Sequence, residues 1–222
     1  GFAGPFNAAT GIQTGAGISG QDVKFDSNNN IYCSVGSEKS NAIATKVYKA
    51  LASNNLSFSD ITPPPGILSS SLYGRIELGI SPSNPNVVYA SVANKAPFST
   101  GVNPGNLPGL KGLFVTYNGG TSWGLIVQGS AQLDPLSNGA NISTGDYAQV
   151  ISVNPTDPNE ILFAGYRLFL YRRTGGTDAS PFGAWVQIGT SGISFAPQYY
   201  LHENIHDIKI VGSGLTAKYY FV

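Results

Sequence analysis

One passage occurs twice in this chain. Ile80-Ser-Pro-Ser-Asn-Pro-Asn-Val-Val-Tyr-Ala-Ser91 and Val153-Asn-Pro-Thr-Asp-Pro-Asn-Glu-Ile-Leu-Phe-Ala-Gly165 both read strand, Pro-[Ser/Thr]-[Asn/Asp]-Pro-Asn, strand. Each Pro holds φ near −65°, and Asn or Asp bonds its own backbone and tolerates positive φ. The flanking runs are apolar and β-branched or aromatic, so each passage is expected to be a β-hairpin. Weaker copies are Val23–Tyr32, with an Asn-rich turn, and Ile208–Val222, with a Gly-rich one. The aromatics Tyr32, Tyr89, Phe163 and Tyr220 are taken as equivalent anchors, spaced by 57, 74 and 57 residues. Compact propeller repeats run roughly 40–50 residues, and the long segments Asn94–Lys111 and Gly129–Gly145 account for the excess. A unit of this kind cannot bury its apolar faces alone, so recurrence implies stacked copies.

The turn after each hairpin narrows the architecture. In Gly112-Leu-Phe-Val-Thr-Tyr-Asn-Gly-Gly-Thr-Ser-Trp123, the residues Thr116, Asn118, Gly120, Ser122 and Trp123 match the pattern Ser/Thr-x-Asp-x-Gly-x-Thr/Ser-Trp. Asn118 stands where the pattern usually has Asp. The chain here resembles the Asp-box (BNR) repeat β-propellers. The resemblance covers most of residues 20–222, with degenerate copies at Leu51–Phe58 and Leu170–Gly176, the latter interrupted before Trp185. Within that family the Asn or Asp caps backbone N–H groups, Gly takes the left-handed position and Trp packs between blades. Gly74–Tyr89 is similar to segments of large secreted Bacteroidetes-type propeller proteins that carry type IX sorting domains. More distantly, the pattern resembles xyloglucanase, sialidase and sortilin propellers.

The resemblance implies an all-β fold, a β-propeller of four-stranded antiparallel blades. Blades are expected near 21–62, 74–128, 146–190 and, incomplete, 205–222, after a lead-in segment over 1–20. The chain starts at Gly1 and has no Met, which suggests processing or a partial chain. Val222 reads as closing the second strand of a blade. About four blades of a larger, seven-bladed propeller are therefore expected, with the rest of the same polypeptide completing the ring.

Composition restricts the partners. Twelve Lys and Arg balance twelve Asp and Glu, and only 11% of residues are charged. A neutral chain carries no electrostatic footprint for nucleic acid, and no apolar run reaches the roughly 18 residues of a membrane span. Cys33 is the sole cysteine, which excludes an intrachain disulfide; it reads as a small core hydrophobe. The implied setting is extracellular or at the surface of a bacterial cell.

In such a fold the first strand of each blade lines the channel, and its entrance is the usual ligand site. These strands begin near Gln21-Asp22, Arg75-Ile-Glu77, Gln149-Val150 and His206-Asp207. Asp22, Arg75, Glu77, Gln149, His206 and Asp207 are the candidate ligand-binding residues, with Asp22, Glu77, Val150 and Asp207 in register. Carboxylates around a funnel can bind hydroxyl-rich sugars or serve as a general acid/base pair. They can equally bond one another and water.

Other motifs point to less. His202-Glu-Asn-Ile-His206 is a literal H-E-x-x-H, whose zinc chemistry requires both histidines one turn apart on a helix. Here Asp207-Ile-Lys-Ile-Val211 alternates like a strand, so no metal site is expected. Gly15-Ala-Gly17-Ile-Ser-Gly20 has the spacing of a dinucleotide fingerprint but lacks the strand and helix that must frame it; no cofactor is expected. Sialidases grip a carboxylate with three arginines, whereas Arg75 sits on an inner strand and Arg167, Arg172 and Arg173 on outer ones. Phe98, Tyr73, Tyr199 and Tyr200 are placed in loops, where they can stack on sugars or pack between blades. Asn141-Ile-Ser143 fits a glycosylation sequon. The expected function is a non-catalytic recognition or scaffold module for glycans or partner proteins. The alternatives are a xyloglucanase-like glycoside hydrolase with an acidic pair from Asp22, Glu77 and Asp207, or a structural component of a surface assembly.

Overall fold

The computed structural model describes residues 18–37, 43–53, 57–63, 73–95, 109–130, 133–138, 142–188, 204–212 and 218–222. Among these residues the protein is all-β, with no helix. The first sheet comprises β1 (Ser19–Phe25), β2 (Ile31–Gly36), β3 (Lys46–Ala50) and β4 (Phe58–Asp60). The second holds β5 (Tyr73–Ile80), β6 (Val88–Asn94), β7 (Leu110–Thr116) and β8 (Gly124–Gln128). The third holds β9 (Val150–Val153), β10 (Glu160–Ala164), β11 (Leu168–Gly176) and β12 (Pro181–Gln187), and the fourth β13 (Ile208–Val211) and β14 (Lys218–Phe221). Every sheet is an antiparallel meander in which strands neighbour one another in chain order. Such an order permits short hairpin connections, and the Asn- and Pro-rich turns provide them after β1, β5 and β9.

The first turn of each four-stranded sheet is closed in the same way. The Asp26, Ser81 and Asn154 N–H groups donate to the carbonyls of Asn30, Val87 and Glu160. Their side chains then accept from within the turn. Asp26 Oδ1 takes the N–H of Asn28 and of Asn30, Ser81 Oγ that of Asn84, and Asn154 Oδ1 that of Thr156. Asp, Ser and Asn thus do one job in one place, because each carries an oxygen only one or two carbons from the backbone.

The ladders correct one of the four anchors. Tyr32 pairs with Lys24, Tyr89 with Gly79 and Tyr220 with Lys209. Their counterpart in the third sheet is Leu162, paired with Ser152, and not Phe163, paired with Ile151. Counting from the shared Pro-Asn shows why: Tyr89 lies three residues beyond Asn86, and Leu162 three beyond Asn159. A shift of one residue moves the side chain to the opposite face of the sheet. Tyr89 and Phe163 consequently meet from opposite sides of one seam.

Side-chain alternation gives every sheet two apolar faces, and the sheets stack face to face. Between the first and second sheets lie Tyr32 and Val47 with Ile76, Leu78, Val88, Ala90, Phe114 and Trp123. Between the second and third lie Tyr89, Leu113 and Val115 with Ile151, Ile161, Phe163 and Tyr171. A smaller core, including Val150, Leu162 and Leu168 with Ile205 and Ile208, joins the third to the fourth. Tyr73, expected in a loop, opens β5 and is fully buried, its ring near Phe114. The first strands run side by side: β1 beside β5, β5 beside β9, and β9 beside β13.

Candidate functional site

That row of first strands gathers most of the polar residues of interest. A register shift between Gly20 and Asp22 leaves Gln21 outside the β1–β2 ladder. Both side chains then reach across to β5, where Gln21 Oε1 accepts the Ile76 N–H (2.9 Å) and Asp22 Oδ2 the Leu78 N–H (2.8 Å). A second shift, between Tyr73 and Ile76, frees Arg75 from the β5–β6 ladder. Bulges of this kind re-aim side chains at strand ends.

Four charges alternate across the join. Lys24 Nζ lies 2.9 Å from Asp22 Oδ1 and 3.2 Å from Glu77 Oε1, and an Arg75 terminal nitrogen lies 3.0 Å from Glu77 Oε2. The other terminal nitrogen of Arg75 donates to the Tyr147 carbonyl (2.9 Å), while its Nε is buried without a partner among the described residues. All four carboxylate oxygens of Asp22 and Glu77 are therefore engaged. Burial, reinforced by the Asp22 charge, holds the Glu77 pKa above the ordinary carboxylate value, although Lys24 and Arg75 pull it down. Burial acts on Lys24 in the lowering sense, but the two carboxylates outweigh it and the ammonium is held more firmly than usual.

The remaining candidates divide. Gln149 is buried, its Oε1 accepting from Ser91 Oγ (2.9 Å) and its Nε2 donating to the Gly145 carbonyl (3.1 Å). His206 and Asp207 are exposed at the start of β13, and both of their N–H groups donate to the Val222 carbonyl. The His206 ring stands 6.1 Å from that of Tyr147. Val150, paired with Ala164, holds in the third sheet the place that Glu77, paired with Ser91, holds in the second. Thus Asp22, Arg75 and Glu77 form one connected cluster, His206 joins its edge through Tyr147, and Gln149 serves the seam.

Two participants escape sequence reasoning. Lys24 sits two residues from Asp22 and so on the same face of β1, a signal available from strand alternation. Tyr147 leaves no such trace, since it lies in an irregular segment. Its ring is 47% exposed, and its hydroxyl donates to Oδ1 of Asn204, a residue at φ 69°. Tyr147 thus presents an exposed aromatic bonded to an amide and beside an imidazole, with the Arg75 guanidinium on its backbone carbonyl.

The Thr116–Trp123 turn lies elsewhere, against the first sheet. Thr116 Oγ1 accepts the N–H of Asn118 (3.3 Å) and of Gly120 (2.9 Å), and Asn118 Oδ1 accepts that of Ser122 (2.9 Å). Gly119 and Gly120 take φ of 67° and 100°. Trp123 is buried between the first two sheets, its Nε1 donating to the Ile61 carbonyl (2.7 Å). Lys49 Nζ donates to the Gly119 carbonyl and sits over the Tyr32 ring.

Arg172 and Arg173 lie on β11, where Arg172 pairs with Glu160 and Arg173 with Asp178, while Arg167 precedes that strand and bonds the Asn138 carbonyl. None of the three joins Arg75. His202, Glu203, Gly15, Gly17, Phe98, Tyr199, Tyr200 and Asn141 lie outside the described residues. Among those described, no group of three or more His, Cys, Asp and Glu is placed to hold a metal ion. No helix among them is long and apolar enough to cross a membrane. No protein-family model matches the chain, and no curated protein matches it.

Proposed function

We propose that the chain belongs to a β-propeller, secreted or displayed on a cell surface, and that it acts as a non-catalytic recognition module for glycans or partner proteins. The propeller reading is supported by the side-by-side first strands and by four-stranded meanders stacked face to face. The recognition reading rests on one observation. The rim beside the first strands presents Tyr147, half exposed, next to Arg75, Asn204 and His206. An aromatic face bordered by hydrogen-bonding groups suits a sugar ring or a polar protein loop. The carboxylates beneath are already committed to Lys24, Arg75 and the β5 backbone, which suits support of the rim better than attack on a substrate.

One feature favours the hydrolase alternative. Glu77 shares an ammonium with Asp22 and carries a raised pKa, as a general acid does. Incubating the protein with a panel of polysaccharides separates the two. Retention without release of reducing ends, lost on Tyr147→Ala, is the expected result. Release of reducing ends that disappears on Glu77→Gln would make the chain an enzyme. Neither retention nor release would leave an assembly role in front.

A further inference from the structure

We propose that the pocket between the β3–β4 hairpin and the Thr116–Trp123 turn binds one uronic acid unit, with its carboxylate on Lys49. Tyr32, Lys49 and Ser59 form one row across the first sheet, each paired with the next. Directly opposed residues share a face, and Tyr32 places this one against the second sheet. The same row reads Tyr89, Val115 and Gly124 in the second sheet and Leu162, Leu170 and Val186 in the third. Val115 is fully buried, and Leu170 packs against a core. Lys49 thus carries a charge where the other two sheets place an apolar side chain. It lines a pocket of about 400 Å3, a size that suits a small ligand.

The ammonium is held in place without being neutralised. Lys49 Nζ donates to the Gly119 carbonyl (3.1 Å) and stands 5.0 Å from the centre of the Tyr32 ring. Among the described residues no carboxylate forms an ion pair with it. Asp26 spends its oxygens on its own turn, and Asp60, in the pocket wall, is bound by Lys46 and Thr62. Burial lowers the Lys49 pKa, and the Asp26 charge recovers only part of that. An anion against Nζ would supply the missing countercharge. The Tyr32 hydroxyl makes the same point independently, being buried and without a partner among the described residues. It ends at the same glycine as Nζ, since a Cβ on Gly119 would stand 2.7 Å from Nζ and 3.6 Å from that hydroxyl. A carboxylate on Nζ brings to this corner the acceptor that it lacks.

The walls select the kind of anion. One ammonium, with no guanidinium among the described lining residues, matches a single negative charge, and Asp60 disfavours a second. The hydroxyls of Ser57, Ser59 and Thr121 and the Asn118 amide stand around the apolar side chains of Leu51 and Ile61. A pyranose ring presents the same mixture of hydroxyls and C–H faces. The pocket shares no residue with the Tyr147 site and does not depend on it.

The test titrates the full, isotopically labelled chain with sodium glucuronate at constant ionic strength and follows its amides by NMR. Saturable shifts are expected at Ser59 and residues 119–121, with glucose, acetate and inorganic phosphate each binding at least about tenfold more weakly. Lys49→Gln should weaken glucuronate binding by about tenfold or more, as loss of a charged donor does. Ser59→Ala keeps the backbone pairing with Lys49 and should weaken it about threefold. An absence of shifts would overturn the proposal. Acetate or phosphate binding as tightly as glucuronate would overturn it as well, by reducing the pocket to an unselective anion contact. Shifts confined to Tyr147 and residues 204–206 would do the same by placing the sugar elsewhere.

Discussion

Cys33 and Glu77 sit within reach of the same carboxylate, and burial shifts both. The Cys33 thiol is half-buried, and burial together with the Asp22 charge pushes its pKa up to about 11. Against an ordinary thiol near 9, that leaves about a hundredfold less thiolate at a given pH. Alkylation by iodoacetamide at mildly alkaline pH should accordingly be at least about a hundredfold slower in the folded protein than in urea; similar rates would mean that β2 opens readily. For Glu77 the native pKa lies above that of the unfolded chain. Between the two values the native state keeps a proton that the unfolded chain has released. The stability held at this site is thus greatest below the unfolded pKa of about 4.3 and falls as pH rises through the native value. Glu77→Gln removes the titration. Its Tm relative to wild type should climb as pH is raised from about 4 to 7, and a flat or declining difference would show that Lys24 and Arg75 govern the charge instead.

Strands and turns are the scale at which the amino-acid order says most. The Pro-Asn hairpins and the Asn118-Gly-Gly turn could be read because their chemistry is local: a side-chain oxygen, a fixed φ and a residue without Cβ act within five positions. The Thr116 hydroxyl is the hub, accepting two N–H groups and donating to Asn118 Oδ1 (2.9 Å). Thr116→Val keeps the shape and orphans those donors, so a loss of about 2 kcal/mol is expected in urea unfolding. Trp123→Phe keeps an aromatic ring but leaves a cavity where the rest of the indole sat and forfeits the bond to Ile61, so at least about 1 kcal/mol should go with it. If neither change registers, the turn hangs on the first sheet without helping to hold it. The misplaced anchor belongs to this scale too. An aromatic is easy to match by eye, yet the turn sets the register, and in the third sheet the turn selects Leu162.

Across the whole molecule, stability resides in the seams. Gly79 shows how close they are, since a Cβ there would meet Ile151 Cγ2 at 2.5 Å. Gly79→Ala should therefore destabilise by about 1–3 kcal/mol through overpacking, and a neutral result would mean that the second and third sheets separate easily. The sequence by itself determined the all-β class, the antiparallel hairpins, the turn that seats Trp123 and the polar residues that begin the first strands. The first two follow from periodicity and turn chemistry within a few neighbouring residues, and the last two from the resemblance of the Thr116–Trp123 turn to a known repeat. Only the tertiary structure decided that Lys24 binds Asp22 and Glu77 together, that Tyr147 stands exposed beside His206 and that Tyr73 is buried. Those outcomes depend on which face of one sheet meets which face of the next. Residues more than fifty positions apart make that contact, and no local pattern records it.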